Sequence, residues 1–350
     1  MISFLRWTGR VLFTLGVLGL LACGFVVWRF TDWRSQRLAQ LDAGSTIAET
    51  KAGRVEYTER GSGPAVLVCH GAPGGYDQAL LIGESLADAG YRVIAPSRPG
   101  FLRTPLETGL FFQDQADALA ALLDTLGVND AAVIGFSSGG QVALQFALRH
   151  PEKTRGLVLL SPVTRQYVAE QSKEERQFLG EAVLLQTTGD MGSWLVTELA
   201  ERNPRRVLQG FLALDTTLDE SGRAKLADAV LANPAQLEFF RGLAASQAPS
   251  SPREPGTRND LVMLRGLLPS PFENITAPVL AVFGSDDASA EWCDPKDFSG
   301  WLPKARILTV EDAGHTVWFG PNAGKMETAV RDFLGGLKTG APPPDDELPE

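Results

Sequence analysis

The stretch Gly135-Phe136-Ser137-Ser138-Gly139-Gly140 follows the short apolar run Ala131-Ala132-Val133-Ile134 and precedes a helical pattern that reaches about Leu148. A backbone that passes from strand to helix in so few residues must turn sharply, and small residues two before and two after the serine let it close without collision. The serine is then held in a strained conformation with its hydroxyl pushed into the open. The spacing selects Ser137, because choosing Ser138 would put Phe136 where the first glycine is needed. A chance match in a chain with 36 glycines, or a serine that only caps the next helix, is the plainer account. The strand before it and the helix after it favour a nucleophile.

The segments around this turn alternate in the same way. AVLVCH and YRVIAP are strand runs separated by a helical stretch through Ala89, and Phe112, Ala116, Leu119, Ala120, Leu123 and Leu126 recur at helical intervals before Gly127. GLVLLSP continues the series. Strand and helix in turn predict a parallel sheet with helices on both faces. After Pro162 the strand runs stop for about a hundred residues, and FLGEAVLLQ, WLVTELAERN, RVLQGFLALD and LADAVLANP read as helices. The alternation resumes with PVLAVFG, ARILTV and a last helix in AGKMETAVRDFLGGL. The expected division is an anchor at 1–30, a stalk at 31–53, a core at 54–162 and 272–338, an all-helical cap at 163–271 and a disordered acidic tail at 339–350. Within the cap, QAPSSPREPGTRND is rich in Pro, Gly and Ser and is expected to be a mobile loop.

From Val11 to Trp28 the chain runs 18 residues without a charge, between Arg6 and Arg10 on one side and Arg29, Arg34 and Arg37 on the other. This is close to the ~20 residues that cross a bilayer core as a helix. The apolar run continues past the Leu20-Leu21-Ala22-Cys23 sequence, where a cleaved lipoprotein would turn polar, so an uncleaved membrane anchor is expected. The flanking charges nearly balance and tip slightly toward a domain outside the cytoplasm.

A net charge of -10 with no basic, aromatic-interleaved patch argues against nucleic acid as a partner. Cys23, Cys69 and Cys293 lie far apart without a C-x-x-C pair, so no metal site and no disulfide framework is expected. The oligomeric state is left open.

A serine hydroxyl needs a base. Of three histidines, His150 precedes Pro151 at a helix end and His70 sits in the glycine-rich loop His70-Gly71-Ala72-Pro73-Gly74-Gly75. His315, in Asp312-Ala313-Gly314-His315 after the run ARILTV, is the candidate base. Its orienting carboxylate is expected in Gly284-Ser285-Asp286-Asp287, with Asp287 preferred over Asp286 because the turn must carry the side chain toward the histidine loop. The backbone N–H groups of Ala72 and Ser138 are the natural donors to an oxyanion. No cofactor is required.

With HGAPGG, SRPGF, GFSSGG, GSDD and DAGH in this order, residues 54–338 resemble the α/β-hydrolase superfamily. The resemblance implies an eight-stranded, mostly parallel sheet, a cap over the site, no cofactor, and the roles of nucleophile, acid and base for Ser137, Asp287 and His315. Epoxide hydrolases and haloalkane dehalogenases of this superfamily carry an aspartate at the elbow, which Ser137 replaces. HGAPGG looks like the loop of proline iminopeptidases, whose elbow contains a tryptophan that GFSSGG lacks. Hydrolysis of a carboxylic ester or a related acyl bond is the reading that remains, and the many leucines, valines and phenylalanines of the cap add the expectation of a small, apolar substrate. The alternatives are a proline-iminopeptidase-like activity and a membrane-anchored binding module on the same fold.

Overall fold

Strands bury both faces only when helices cover both, and the described residues show how this chain achieves it. The computed structural model describes residues 2–164, 189–289, 298, 300–302 and 304–339. FLGEAVLLQ, Cys293 and the tail from residue 340 lie outside them. The chain divides into two compact units, residues 1–43 and 44–350.

The first unit is helix α1 (Ile2–Ala43). Its Arg10–Ala43 stretch is long and apolar enough to cross a membrane, with a mean hydropathy of 2.4 in its most apolar window, and suits an anchor or a signal sequence. The expected stalk is corrected here. From Phe25 to Ala43 there is neither glycine nor proline, so nothing interrupts the helix until Gly44.

The second unit also begins earlier than Arg54. Strand β1 (Thr46–Thr50) pairs antiparallel with β2 (Gly53–Arg60) across a two-residue turn, Lys51-Ala52. Gly53 has φ +120, which the turn needs and which a side chain rarely adopts. Only Ala48 of β1 is buried, too little apolar signal to mark a strand in advance.

The sheet continues through β3 (Ala65–Cys69), β4 (Arg92–Pro96), β5 (Ala131–Phe136), β6 (Thr154–Leu160), β7 (Val279–Gly284) and β8 (Arg306–Val310). The order among the described residues is β1-β2-β4-β3-β5-β6-β7-β8, antiparallel at β1, β2 and β4 and parallel from β4 to β8. This is the mostly parallel α/β sheet expected. Side chains alternate between two cores: Val66, Val68, Ile134 and Val282 join one face, and Leu67, Cys69, Val133 and Ala281 the other. Helices α2 (Tyr76–Asp88), α3 (Phe112–Thr125), α4 (Gly139–Arg149) and α10 (Ala323–Thr339) cover them. Gly127, at φ +65, follows the end of α3.

Between β6 and β7 lie α5 (Gly189–Arg202), α6 (Pro204–Asp215), α7 (Glu220–Ala232), α8 (Pro234–Ala245) and α9 (Glu254–Arg265). Asn203, Asp219 and Asn233 cap α6, α7 and α8 by accepting from backbone N–H groups of the first turn. The insert is not purely helical, because Thr216 forms an antiparallel bridge with Asp287. The loop expected to be mobile is also corrected: residues 251–253 form a 3₁₀ turn and α9 starts at Glu254. Two buried arginine–carboxylate pairs, described below, hold this segment.

Candidate active site

The chain leaves β3 for β4 on one side and later occupies β5 and β6 on the other, so a crevice opens where β3 and β5 end. Ser137 stands there, one residue beyond β5, with φ +54. Its N–H donates to the Leu160 carbonyl at 3.0 Å, and its carbonyl accepts from Gly140 N at 2.9 Å and Val163 N at 3.1 Å. The neighbouring glycines are sterically required. A Cβ at Gly135 would lie 2.7 Å from the Ala143 Cβ, one at Gly140 would lie 2.7 Å from the Pro162 Cβ, and one at Gly139 would run into the carbonyls of Cys69 and His70.

His315 reaches this serine from the loop after β8, its Nε2 2.9 Å from Ser137 Oγ. Its Nδ1 lies 3.0 and 3.2 Å from the two carboxylate oxygens of Asp287, which is 2% exposed. Asp287 Oδ1 also accepts from Ser289 N at 2.7 Å. Asp286 turns elsewhere, its Oδ2 accepting from Ser285 Oγ. Burial alone would lower the imidazole pKa, but the charge and hydrogen bond of Asp287 and the charge of Asp215 outweigh it and raise His315 above the usual histidine value.

The other histidines are placed differently. His150 follows α4 and bonds Asp117 at 2.8 Å. His70 is buried, with Nδ1 donating to Gly71 O at 2.7 Å and Nε2 accepting from Arg98 N at 3.0 Å. Burial and the charge of Arg98 keep it well below the ordinary range, so it is a neutral scaffold group. Burial likewise pushes the Cys69 thiol up to about 12.

The amides of Ala72 and Ser138 lie on the loops after β3 and β5, and neither donates to any described group. Gln78 grips the first loop on either side of Ala72, accepting from Gly71 N at 2.9 Å and donating to Pro73 O at 3.2 Å.

Several supporting residues escaped the sequence reading. Arg98, fully buried, donates to the His70 carbonyl, to Gln115 and to both oxygens of Asp260 on α9. The Ser138 hydroxyl donates to Asp260 Oδ2 at 2.8 Å. Arg253, also fully buried, donates to Gly74 O at 2.8 Å and to both oxygens of Asp77 at 2.9 and 2.8 Å. Arg98 lies in the SRPGF motif, but nothing in sequence links it to Asp260. Beside the imidazole, Phe136 stands 5.6 Å from His315 and edge-on to Trp318, which stacks on Phe239 at 4.9 Å. Among the described residues no group of His, Cys, Asp or Glu is placed to hold a metal ion.

A strained serine on the β5–α4 turn, faced by a histidine after β8, goes with a sheet of this order. A family model for the alpha/beta hydrolase fold matches residues 64–320, and the chain belongs to that family. It is 28% identical over 290 residues to a 2-hydroxy-6-oxo-6-phenylhexa-2,4-dienoate hydrolase of Comamonas testosteroni, covering 80% of this chain and 91% of that one. An uncharacterized hydrolase of Bacillus subtilis, YcgS, is 27% identical over 283 residues, covering 81% and 95%. Among solved structures, an alpha/beta hydrolase fold protein from Nakamurella multipartita superposes with a TM-score of 0.73 at 28% identity, covering 85% of this chain and all of that one. The chain is thus similar to hydrolases along nearly their whole length.

Proposed function

We propose that the protein is a serine hydrolase of carboxylic esters, working through an acyl-enzyme. The observation that carries this reading is the continuous chain Ser137 Oγ to His315 Nε2 at 2.9 Å and His315 Nδ1 to Asp287 at 3.0 Å. His315 takes the proton of Ser137 as the hydroxyl attacks the ester carbonyl, and Asp287 holds the Nδ1 proton and stabilises the imidazolium that forms. The amides of Ala72 and Ser138 receive the oxyanion, each such donor contributing about 10² to 10³ in rate. His315 then returns its proton to the departing alcohol, and water deprotonated by the same imidazole releases the acid.

The aromatic cluster of Phe136, Trp318 and Phe239 beside His315 supports an apolar substrate. The two buried arginines support an uncharged one, since both spend their guanidinium groups on Asp260 and Asp77. The helices inserted between β6 and β7 serve as the cap, and α1 as an uncleaved membrane anchor with the hydrolase outside the cytoplasm. A second reading, action on a keto-dienoate of the kind named for the Comamonas relative, would use the same serine and rests on that 28% identity.

Hydrolysis of p-nitrophenyl esters of graded chain length by the full chain in detergent tests the ester reading. Turnover with a chain-length optimum is expected. Failure on every ester, with turnover of a keto-dienoate, would replace it by the second reading.

A further inference from the structure

The last residue of α6, Asp215, turns toward both loops that carry the histidine and its carboxylate. The Asp215 carbonyl accepts from His315 N at 2.9 Å and from Ala288 N at 3.2 Å. Its carboxylate accepts from Thr316 N at 3.0 Å and from Thr316 Oγ1 at 2.7 Å. The next two residues continue the contact, Thr216 bridging Asp287 and Thr217 N donating to Asp286 O at 2.8 Å. Gly314 is part of the fit, because a Cβ there would meet the Asp215 carboxylate and Thr216. Asp215 is 6% exposed. A carboxylate is brought to such a place at a cost in desolvation, and no lysine or arginine pairs with it among its described contacts.

We propose that Asp215 is a positioning residue for His315: lent by the helical insert, it adds a second buried negative charge beside Asp287, fixes the histidine loop through Thr316, and favours the imidazolium that forms as Ser137 loses its proton. The proposal rests on the reading of Ser137 and His315 as nucleophile and base. Asp215 acts through the loop and through space, since its carboxylate oxygens bond Thr316 and not the ring.

Three titratable groups meet at this point, each from a different element: His315 from the loop after β8, Asp287 from the loop after β7, and Asp215 from the insert. On the same loops, Glu311 and Asp312 are exposed and Asp286 is half-buried. Burial raises the Asp215 carboxyl to about 6, against the charge of His315 and the hydrogen bonds from Thr316, which lower it. Asp215 is therefore mostly charged at neutral pH and loses that charge as the solution is acidified through about pH 6. Once neutral, it no longer helps His315 keep its proton.

The test is the pH dependence of the rate at which a fluorophosphonate labels Ser137, in the full chain and in Asp215→Asn. The amide keeps the shape and an acceptor for Thr316 but removes the charge. The acid limb is expected to move to lower pH by about half a unit, a roughly threefold change in relative rate on the limb, and the plateau to fall several-fold. A limb that stays in place while only the melting temperature drops would reduce Asp215 to a structural group and overturn the proposal. If Asp215→Asn does not fold, the wild-type limb decides. Coupling to a second group makes it shallower than a single ionisation around pH 6, where Asp215 takes up its proton, and a limb with single-proton slope throughout overturns the proposal. A wild-type serine that is not labelled at any pH removes the triad reading, and the proposal with it.

Discussion

The ends of β5, β7 and β8 and the segments lent by the helical insert build the same site by different means. At the strand ends each group sits within three residues of its strand, or five for His315, and its neighbours are small for a local reason: Gly135, Gly139 and Gly140 have no room for a Cβ. The insert supplies Asp215, Arg253 and Asp260, whose partners lie 101, 176 and 162 residues away along the chain. In the proposed reaction the strand ends place the reacting atoms, and the insert holds the loops that carry them through buried charges. Damage at the strand ends should therefore appear mainly in rate and damage at Arg253 or Asp260 mainly in stability, while Asp215, which touches the histidine loop, should show in both.

The largest effect expected is on rate. Asp287→Asn should lower kcat by about 10⁴, because the amide leaves His315 in the wrong tautomer, whereas Asp286→Asn should change it little. Equal losses from the two, measured on any ester the enzyme turns over, would contradict the assignment.

In the insert, Asp260→Ala strands the buried Arg98 guanidinium and should cost about 3–5 kcal/mol in stability by denaturant unfolding. A change within about 0.5 kcal/mol, the range of ordinary surface substitutions, would show that α9 is not held by this pair. Gly139→Ala tests the strand ends by packing rather than by charge. Overpacking against the carbonyls after β3 should cost about 1–3 kcal/mol and lower activity as well, since the elbow itself must shift.

A smaller effect follows from pH. The folded pKa of Asp215 is raised above its unfolded value, so the folded state binds the proton more tightly, and this group's contribution to stability is full at low pH and is lost as pH rises from about 3.8 to about 6. His315 is raised too, and its contribution is lost above the usual histidine range. The melting temperature should therefore gain a component that falls across pH 4 to 6 in wild type and is missing in Asp215→Asn. An identical slope in both would contradict the buried charge.

How much could be read in advance follows the same division. The parallel strands, and the turns on which Ser137, Asp287 and His315 stand, were legible because each signal is local: an apolar run, then a glycine-marked turn, then a polar group. β1 was missed because only Ala48 points inward. The segment 247–260 read as mobile because its prolines and glycines are local signals, while what orders it, Arg253 with Asp77 and Arg98 with Asp260, is long-range and leaves no periodicity. Asp215 looked like the end of a helix for the same reason.

The most direct test of the account is the site of covalent attachment of a fluorophosphonate, read by peptide mass spectrometry in wild type and in Ser137→Ala. The account predicts one adduct, on Ser137, that disappears in the variant. An adduct on Ser138 or another serine, or none on a well-folded chain, would contradict it.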